Sequence, residues 1–239
     1  MREAPIKPNK ADASRLKPGE DYGYTKSFYQ SWEVAEDYNF HRWGTPVRAQ
    51  RNVRKWRTIL RALATTGGVR SILDLPCGAG RFIGRLAECG WRMTGADISV
   101  EMMEVARTGI GKVDGIDGYV RADAEHLPFA ASAVDCVLSI RFFLHVDAPT
   151  RARMLREMAR VSRRWLILDY RHKYNYRYAV WWLRRLLGLT DLPLERIGRA
   201  QLHSELADAG LVARAVLPVT LLFSDKWIVL CEKTAPATG

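Results

Sequence analysis

The stretch from Val69 to Phe82, VRSILDLPCGAGRF, constrains the fold of this chain more than any other. Its apolar residues around Leu73 predict a short buried strand of a parallel sheet. A turn with two glycines, Gly78 and Gly80, follows, and residues 81–88 then predict a helix. Glycines let backbone N–H groups approach a ligand closely, and a helix start favours polar groups. The stretch is therefore typical of a nucleotide-type binding site.

Three aspartates come after three successive predicted strands. Asp74 stands at the end of the first strand, Asp97 ends the run WRMTGAD, and Asp123 follows YVRA. A carboxylate about twenty residues beyond the glycine turn can accept both hydroxyls of a ribose. Each aspartate taken alone could equally cap a helix. Three acids at the carboxyl ends of adjacent strands instead indicate the crevice in which open α/β sheets bind ligands.

These segments resemble the class I S-adenosylmethionine-dependent methyltransferases, over roughly Ile72 to Leu168. The strings LDLPCGAG, GADIS and RADAEHLPF are similar to the first three motifs of that family. Residues 134–140 resemble its fourth strand, and Phe142 to Val146 resemble the segment beside the methyl group. Pro76 stands where the family usually has glycine, which removes one backbone donor from the loop.

The resemblance implies S-adenosylmethionine as the cofactor, and it assigns roles to the matching residues. Asp74 and the glycine backbone would hold the methionine part, and Asp97 would bind the ribose hydroxyls. Ile98 would pack on the adenine, whose edge Asp123 and Ala124 would meet. The implied cofactor residues are Asp74, Pro76, Cys77, Gly78, Gly80, Asp97, Ile98, Asp123, Ala124 and Ile140.

Predicted strands and helices alternate along most of the chain, which favours right-handed crossovers and a parallel sheet. Residues 212–223 and Trp227 to Cys231 flank a short turn and predict a terminal hairpin. The expected fold is α/β: a Rossmann-like doubly wound sheet, mostly parallel with an antiparallel C-terminal hairpin strand and helices on both faces. The 239 residues suit one such domain.

The chain ahead of this sheet has two parts. Residues 1–23 are rich in Pro, Lys and Asp and predict a flexible arm, so that residues 24–239 form a single methyltransferase domain. Within it, residues 24–66 predict an N-terminal helical cap. Its aromatic residues either fold over the cofactor or pack a short helix onto the domain.

Pro46 opens the last helix of this cap, which extends to about Thr65. Helical spacing predicts a buried stripe on one face and a solvated basic surface on the rest. The expected stripe is Val53, Trp56, Leu60 and Leu63, and the expected basic residues are Arg48, Arg51, Arg54, Lys55, Arg57 and Arg61.

The net charge of +11 favours an anionic partner, either nucleic acid, an anionic membrane surface or a phosphorylated substrate. A plain basic surface is the alternative. No apolar run reaches the length of a membrane span, and the first residues lack the apolar core of a signal peptide. We therefore expect a cytoplasmic protein, with peripheral membrane contact as one option. Four cysteines without CxxC spacing indicate reduced thiols and no metal site.

Residues 171–197 form the expected substrate-side insertion. The segment RHKYNYRYAVWWLRRLLGL combines tyrosines and tryptophans with arginines, and the family often recognises its substrates in this region. Such a composition also suits a membrane interface. A core-packing helix with an arginine outer face is the alternative.

The catalytic candidates lie at the carboxyl ends of strands: His145, Asp169 and Tyr170, with His172 as a further candidate. A base would assist a hydroxyl nucleophile, and a structural role remains open for His145. Arg141-Phe142-Phe143-Leu144 replaces the tetrapeptide that amino-methylating enzymes carry after the fourth strand. We therefore expect O- or C-methylation of a small-molecule, lipid or glycolipid acceptor. The alternatives are an RNA methyltransferase and a non-catalytic S-adenosylmethionine-binding relative. A nicotinamide oxidoreductase is a third alternative, but Asp74 directly before the glycine turn argues against it.

Overall fold

A computed structural model describes residues 46–143, 146–189, 196–220 and 225–234. The predicted arm, the aromatic part of the cap before Pro46 and the candidate His145 lie outside these residues. The helices are α1 (Pro46–Ala64), α2 (Ile83–Glu88), α3 (Val100–Ile110), α4 (Ala148–Val161), α5 (Tyr176–Leu186) and α6 (Arg199–Ala207). The strands are β1 (Ser71–Asp74), β2 (Arg92–Asp97), β3 (Ile116–Arg121), β4 (Val134–Ser139), β5 (Ser162–Arg171), β6 (Leu211–Pro218) and β7 (Lys226–Lys233).

The strands form one sheet in the order β3-β2-β1-β4-β5-β7-β6. Strands β1 to β5 pair in parallel, while β7 pairs antiparallel with both β5 and β6. The order changes direction at β1, so the chain moves outward to β3 and then returns to β4 on the other side. This reversal leaves a crevice at the carboxyl ends of β1 and β4. The predicted fold class, including the antiparallel C-terminal hairpin strand, is confirmed.

Helices cover both faces of the sheet, because the central strands bury side chains on each side. On one face, which we call the α1 face, Ile59 of α1 and Ile83 of α2 pack against Leu138 of β4. On the other face, the α4 face, Met154 of α4 and Leu202 of α6 pack over the strands. No helix within the described ranges is long and apolar enough to cross a membrane.

Helix α1 turns a different side to the sheet from the one expected. Val53 is 40% exposed, whereas Lys55 is only 3% exposed. The buried side contains Lys55, Trp56, Ile59, Ala62 and Leu63. The last four lie one, four, seven and eight residues after Lys55, which is the spacing of one helical face. The placement of Lys55 on a solvated basic surface was therefore wrong. The sheet selects this side because its small and aromatic residues pack over β6 and β7.

The ends of several elements match the sequence pattern closely. Ser99 caps α3, since its hydroxyl accepts a hydrogen bond from the Met102 N–H at 3.0 Å. Strand β3 ends at Arg121, so Asp123 follows it after one intervening residue. Strand β5 carries Asp169 near its carboxyl end.

Candidate active site at the carboxyl edge of the sheet

Two buried acids meet where β1 and β2 end. Asp74 is 2% exposed and Asp97 is 5% exposed, and each is the last residue of its strand. No residue in the described part of the chain donates a hydrogen bond to the Asp74 carboxylate. Burial, reinforced by the nearby Asp97, raises the pKa of Asp74 to about 8, and Arg81 opposes the shift. A buried carboxyl group that accepts no hydrogen bond from the described residues is suited to bind a cationic ligand.

Asp97 ties the glycine turn to the end of β2. Its Oδ2 accepts a hydrogen bond from the Gly78 N–H at 2.8 Å, and its Oδ1 accepts one from the Ser99 N–H at 3.0 Å. Burial raises the pKa of Asp97 although these backbone donors oppose the shift. The Cys77 N–H also donates to the Ala96 carbonyl at 2.8 Å, so the turn is fixed against β2 at two points.

The two glycines of the turn are required for different reasons. Both have positive φ angles, +52° at Gly78 and +74° at Gly80. A Cβ on Gly80 would lie 2.5 Å from Ile110 Cδ1, so Gly80 also allows α3 to pack closely. The turn closes through the Gly80 N–H, which donates to the Cys77 carbonyl at 3.0 Å, despite the missing donor at Pro76. The peptide bond before Pro76 is cis.

The remaining cofactor candidates lie around this turn in less specific positions. Asp123 is half-buried, and its Oδ1 accepts a hydrogen bond from the Glu125 N–H at 3.1 Å. Ile98 is half-buried directly after β2. Ala124 and Ile140 are buried in the hydrophobic clusters on opposite faces of the sheet. The structure thus joins Asp74, Asp97 and the glycine turn most closely.

A buried ion pair joins α1 to the end of β5. The ammonium group of Lys55 contacts Oδ2 of Asp169, and the two side chains are 3% and 1% exposed. No described residue donates a hydrogen bond to the other carboxylate oxygen, Oδ1, which is also buried. A buried carboxylate oxygen normally accepts a hydrogen bond, so Oδ1 is a position for a further donor.

Other cations surround this pair. Burial opposes ionisation of Asp169, but the charges of Lys55 and Lys226 outweigh it, and the pKa of Asp169 lies below its usual value. Burial lowers the pKa of Lys55 to about 7 against the attraction of Asp169. Arg141 also acts on Asp169, and its φ of +68°, two residues after β4 ends, is rare for a residue with a side chain. The charge of Arg81 lowers the pKa of both Asp74 and Lys55, so the buried acid of β1 and the buried ion pair share a cationic neighbour.

The catalytic candidates from the sequence do not converge on one point. Asp169 and Tyr170 are adjacent in β5, so their side chains lie on opposite faces of the sheet. The Tyr170 ring packs 5.3 Å from that of Phe143 on the α4 face, and burial raises the pKa of its hydroxyl well above the usual value. Asp169 is two residues after Ile167, so its side chain lies on the same face of the sheet. This is the α1 face, on which Asp74 also lies.

Lys55 is the site residue that the sequence reasoning missed. A signal for it existed, because Lys55 lies four and seven residues before Ile59 and Ala62 and therefore shares their helical side. A lysine at a buried helical position requires a partner, which points to an acid at a strand end. The partner itself could not be chosen without the sheet order.

Comparisons with known proteins agree with this geometry. Residues 72–164 match the methyltransferase domain family. The chain is 38% identical over 96 residues to methyltransferase GfsG of Streptomyces halstedii, which covers 38% of this chain and 34% of that protein. It is 38% identical over 116 residues to the ubiquinone/menaquinone biosynthesis C-methyltransferase UbiE of Haemophilus ducreyi, covering 43% of each chain. The chain thus spans well under half the length of these curated relatives.

Among solved structures, magnesium protoporphyrin IX methyltransferase from Synechocystis PCC 6803 with bound SAH has the same fold. The TM-score is 0.70 at 18% identity, with 90% of this chain and 100% of that chain covered. The fold is Rossmann-like, and residues 72–164 match a methyltransferase domain. These residues are similar to the class I S-adenosylmethionine-dependent methyltransferases.

The link between Asp97 and the glycine turn gives a direct prediction. Each charge-assisted hydrogen bond from a ribose hydroxyl is worth roughly 1.5–3 kcal/mol. We expect Asp97→Ala to weaken S-adenosylmethionine binding by at least about tenfold in calorimetry. Circular dichroism of the variant checks that the fold survives the loss of the Gly78 contact. An unchanged affinity in a folded variant would remove Asp97 from the cofactor site.

Proposed function

We propose that this protein transfers a methyl group from S-adenosylmethionine to an oxygen or carbon atom of a small-molecule, lipid or glycolipid acceptor. The observation that carries the proposal is the Asp74 carboxylate. It is buried at the end of β1 beside the glycine turn, and no described residue donates a hydrogen bond to it. The amino acid part of S-adenosylmethionine brings an ammonium group, which fits such an acid. A cationic ligand stabilises the ionised form of this acid, which a neutral ligand would not do.

S-adenosylmethionine supplies a methyl group on a sulfonium, which an in-line nucleophile displaces. The protein binds and orients the cofactor and the acceptor, and it excludes water from the site. In this proposal Asp74 holds the ammonium group, while Asp97 holds the ribose and the glycine turn at the same time. Asp123, Ala124 and Ile98 lie further along the same edge and in this proposal would meet the adenine.

On the acceptor side, the proposed group is Asp169 held by Lys55. Oδ1 of Asp169 would accept the hydrogen bond of an acceptor O–H or acidic C–H group. When the acceptor oxygen or carbon is methylated, Asp169 would take up that hydrogen as a proton. Asp169 is 2% exposed, so an acceptor reaches it only by replacing the contacts that cover it.

The relatives support a small-molecule acceptor. One similar protein is a C-methyltransferase of ubiquinone/menaquinone biosynthesis, and the structural neighbour is a magnesium protoporphyrin IX methyltransferase. The cations around Asp169 favour an acceptor with an acidic group.

Methyl transfer from labelled cofactor tests the function directly. The purified chain is incubated with radiolabelled S-adenosylmethionine and, separately, with crude lipid, small-metabolite and RNA fractions. We expect label in the lipid or small-metabolite fraction, and much less with Asp169→Asn. Label in RNA alone would transfer the assignment to an RNA methyltransferase. Cofactor binding without transfer to any fraction would favour a non-catalytic relative.

A further inference from the structure

Helix α5 and the residues around it expose a large apolar surface. Of the ten most exposed large hydrophobic side chains in the described part of the chain, eight lie between Tyr174 and Leu189. Leu183, Trp182 and Leu186 are 50%, 54% and 66% exposed. Soluble monomers rarely expose contiguous apolar patches of this kind without a binding role. The eight residues, which we call the α5 patch, are Tyr174, Tyr176, Val180, Trp182, Leu183, Leu186, Leu187 and Leu189.

The two adjacent tryptophans of α5 have different surroundings. Trp181 is half-buried, its ring lies 5.3 Å from that of Tyr178, and the Arg185 guanidinium lies 5.6 Å from its ring centroid. Trp182 instead points outward with Leu183 and Leu186. Helical spacing brings Leu183 alongside Val180 and Leu187, so the exposed side chains form one face. The helix therefore carries its apolar side away from the domain.

The start of α5 is fixed to the body of the protein. The Asn175 side chain caps the helix by accepting a hydrogen bond from the Tyr178 N–H at 3.1 Å. The Tyr174 ring stacks 5.6 Å from that of Trp227, and its hydroxyl accepts a hydrogen bond from the Arg199 N–H at 3.2 Å. His172 stacks on Trp227 at 4.4 Å. These contacts hold the helix with its apolar face outward.

The charge of the segment selects the partner. Residues 170–190 contain no Asp or Glu, and they contain Arg171, Lys173, Arg177, Arg184 and Arg185. An apolar face with flanking cations and no acids is complementary to anionic lipid headgroups over acyl chains. A second copy of the chain would bring the same cations together, which opposes self-association.

We propose that α5 docks this protein onto an anionic membrane, with Trp182, Leu183 and Leu186 inserted between the lipids. Arg184 and the neighbouring cations then meet the headgroups. Four residues separate the start of α5 from the end of β5, so docking holds the carboxyl edge of the sheet, with Asp169 near the end of β5, beside the lipid. Docking itself requires no methyl transfer, and it stands or falls separately from the enzymatic assignment.

Vesicle flotation tests the docking. The full chain is mixed with phosphatidylcholine vesicles that contain or lack phosphatidylglycerol. We expect binding that needs phosphatidylglycerol and weakens with salt. The double variant Leu183→Gln, Leu186→Gln should bind at least about tenfold more weakly, since both inserted side chains lose their apolar character. Val100→Gln, a single exposed aliphatic residue on α3, is the matched control and should bind as the parent does.

Charge reversal gives a second comparison. Arg184→Glu should reduce binding to anionic vesicles more than Arg70→Glu, which lies at the opposite, amino-terminal edge of the sheet. Light scattering without lipid measures the oligomeric state. Equal vesicle binding by the parent and the Leu183/Leu186 variant would overturn the proposal. The proposal would also be overturned if the parent forms an oligomer and binds no vesicles, while the Leu183/Leu186 variant is monomeric. The α5 patch would then be a self-association surface.

Discussion

Replacing Lys55 by methionine should lower the free energy of unfolding by about 3–5 kcal/mol, because it leaves the buried Asp169 carboxylate without its main partner. Chemical denaturation monitored by circular dichroism measures the loss. Lys112→Met, at an exposed lysine, is the control and should change stability by no more than about 0.5 kcal/mol. A Lys55→Met variant as stable as the parent would show that Asp169 is already compensated by other groups.

A paired substitution separates stability from function. The double variant Lys55→Met, Asp169→Leu removes both charges, so most of the lost stability should return. Methyl transfer should nevertheless stay at least about a hundredfold below the parent, since general-base assistance contributes typically 10²–10⁴-fold. Full activity in the restored double variant would mean that the ion pair only fastens α1 to β5, and that the proton acceptor lies elsewhere.

Replacing Asp74 by asparagine should weaken S-adenosylmethionine binding by at least about tenfold, because an amide cannot compensate an ammonium group in a buried site. Binding to the parent should also release protons at pH 7. The pKa of Asp74 is about 8 in the ligand-free protein, so the acid is largely protonated at pH 7, and a bound ammonium group favours the ionised form. Affinity should therefore rise with pH until about pH 8. Calorimetry in two buffers of different ionisation enthalpy measures the released protons.

The same acid sets the sign of a stability effect in the ligand-free protein. Between the usual pKa of an aspartate and about 8, the folded chain keeps the Asp74 proton and the unfolded chain has lost it. The parent should therefore lose stability relative to Asp74→Asn as the pH rises through this range. Equal pH profiles for the two proteins, together with unchanged cofactor affinity, would contradict the role given to Asp74.

The sequence by itself determined the central part of this protein. The apolar run before Asp74, the glycine turn and the periodic return of strands predict the parallel sheet, and the structure places β1 to β5 accordingly. This succeeds because strand ends and glycine turns are local features. Their residues are close in the chain, and the carboxyl ends of parallel strands meet at one edge whatever the surrounding helices do.

Tertiary structure alone decided the parts that depend on which side of an element faces inward. Lys55 and Asp169 are 114 residues apart, and only the placement of α1 over β5 brings them together. Spacing fixes which residues share a helical face, but it does not fix which of two plausible faces is buried. For this reason Val53, predicted to be buried, is exposed, and Lys55, predicted to be exposed, is buried. The same limit applies to α5. The sequence does not distinguish Trp181 from Trp182, since both are tryptophans in the same helix. The contacts of Tyr174 set the rotation of the helix, which turns Trp181 toward the protein and Trp182 outward.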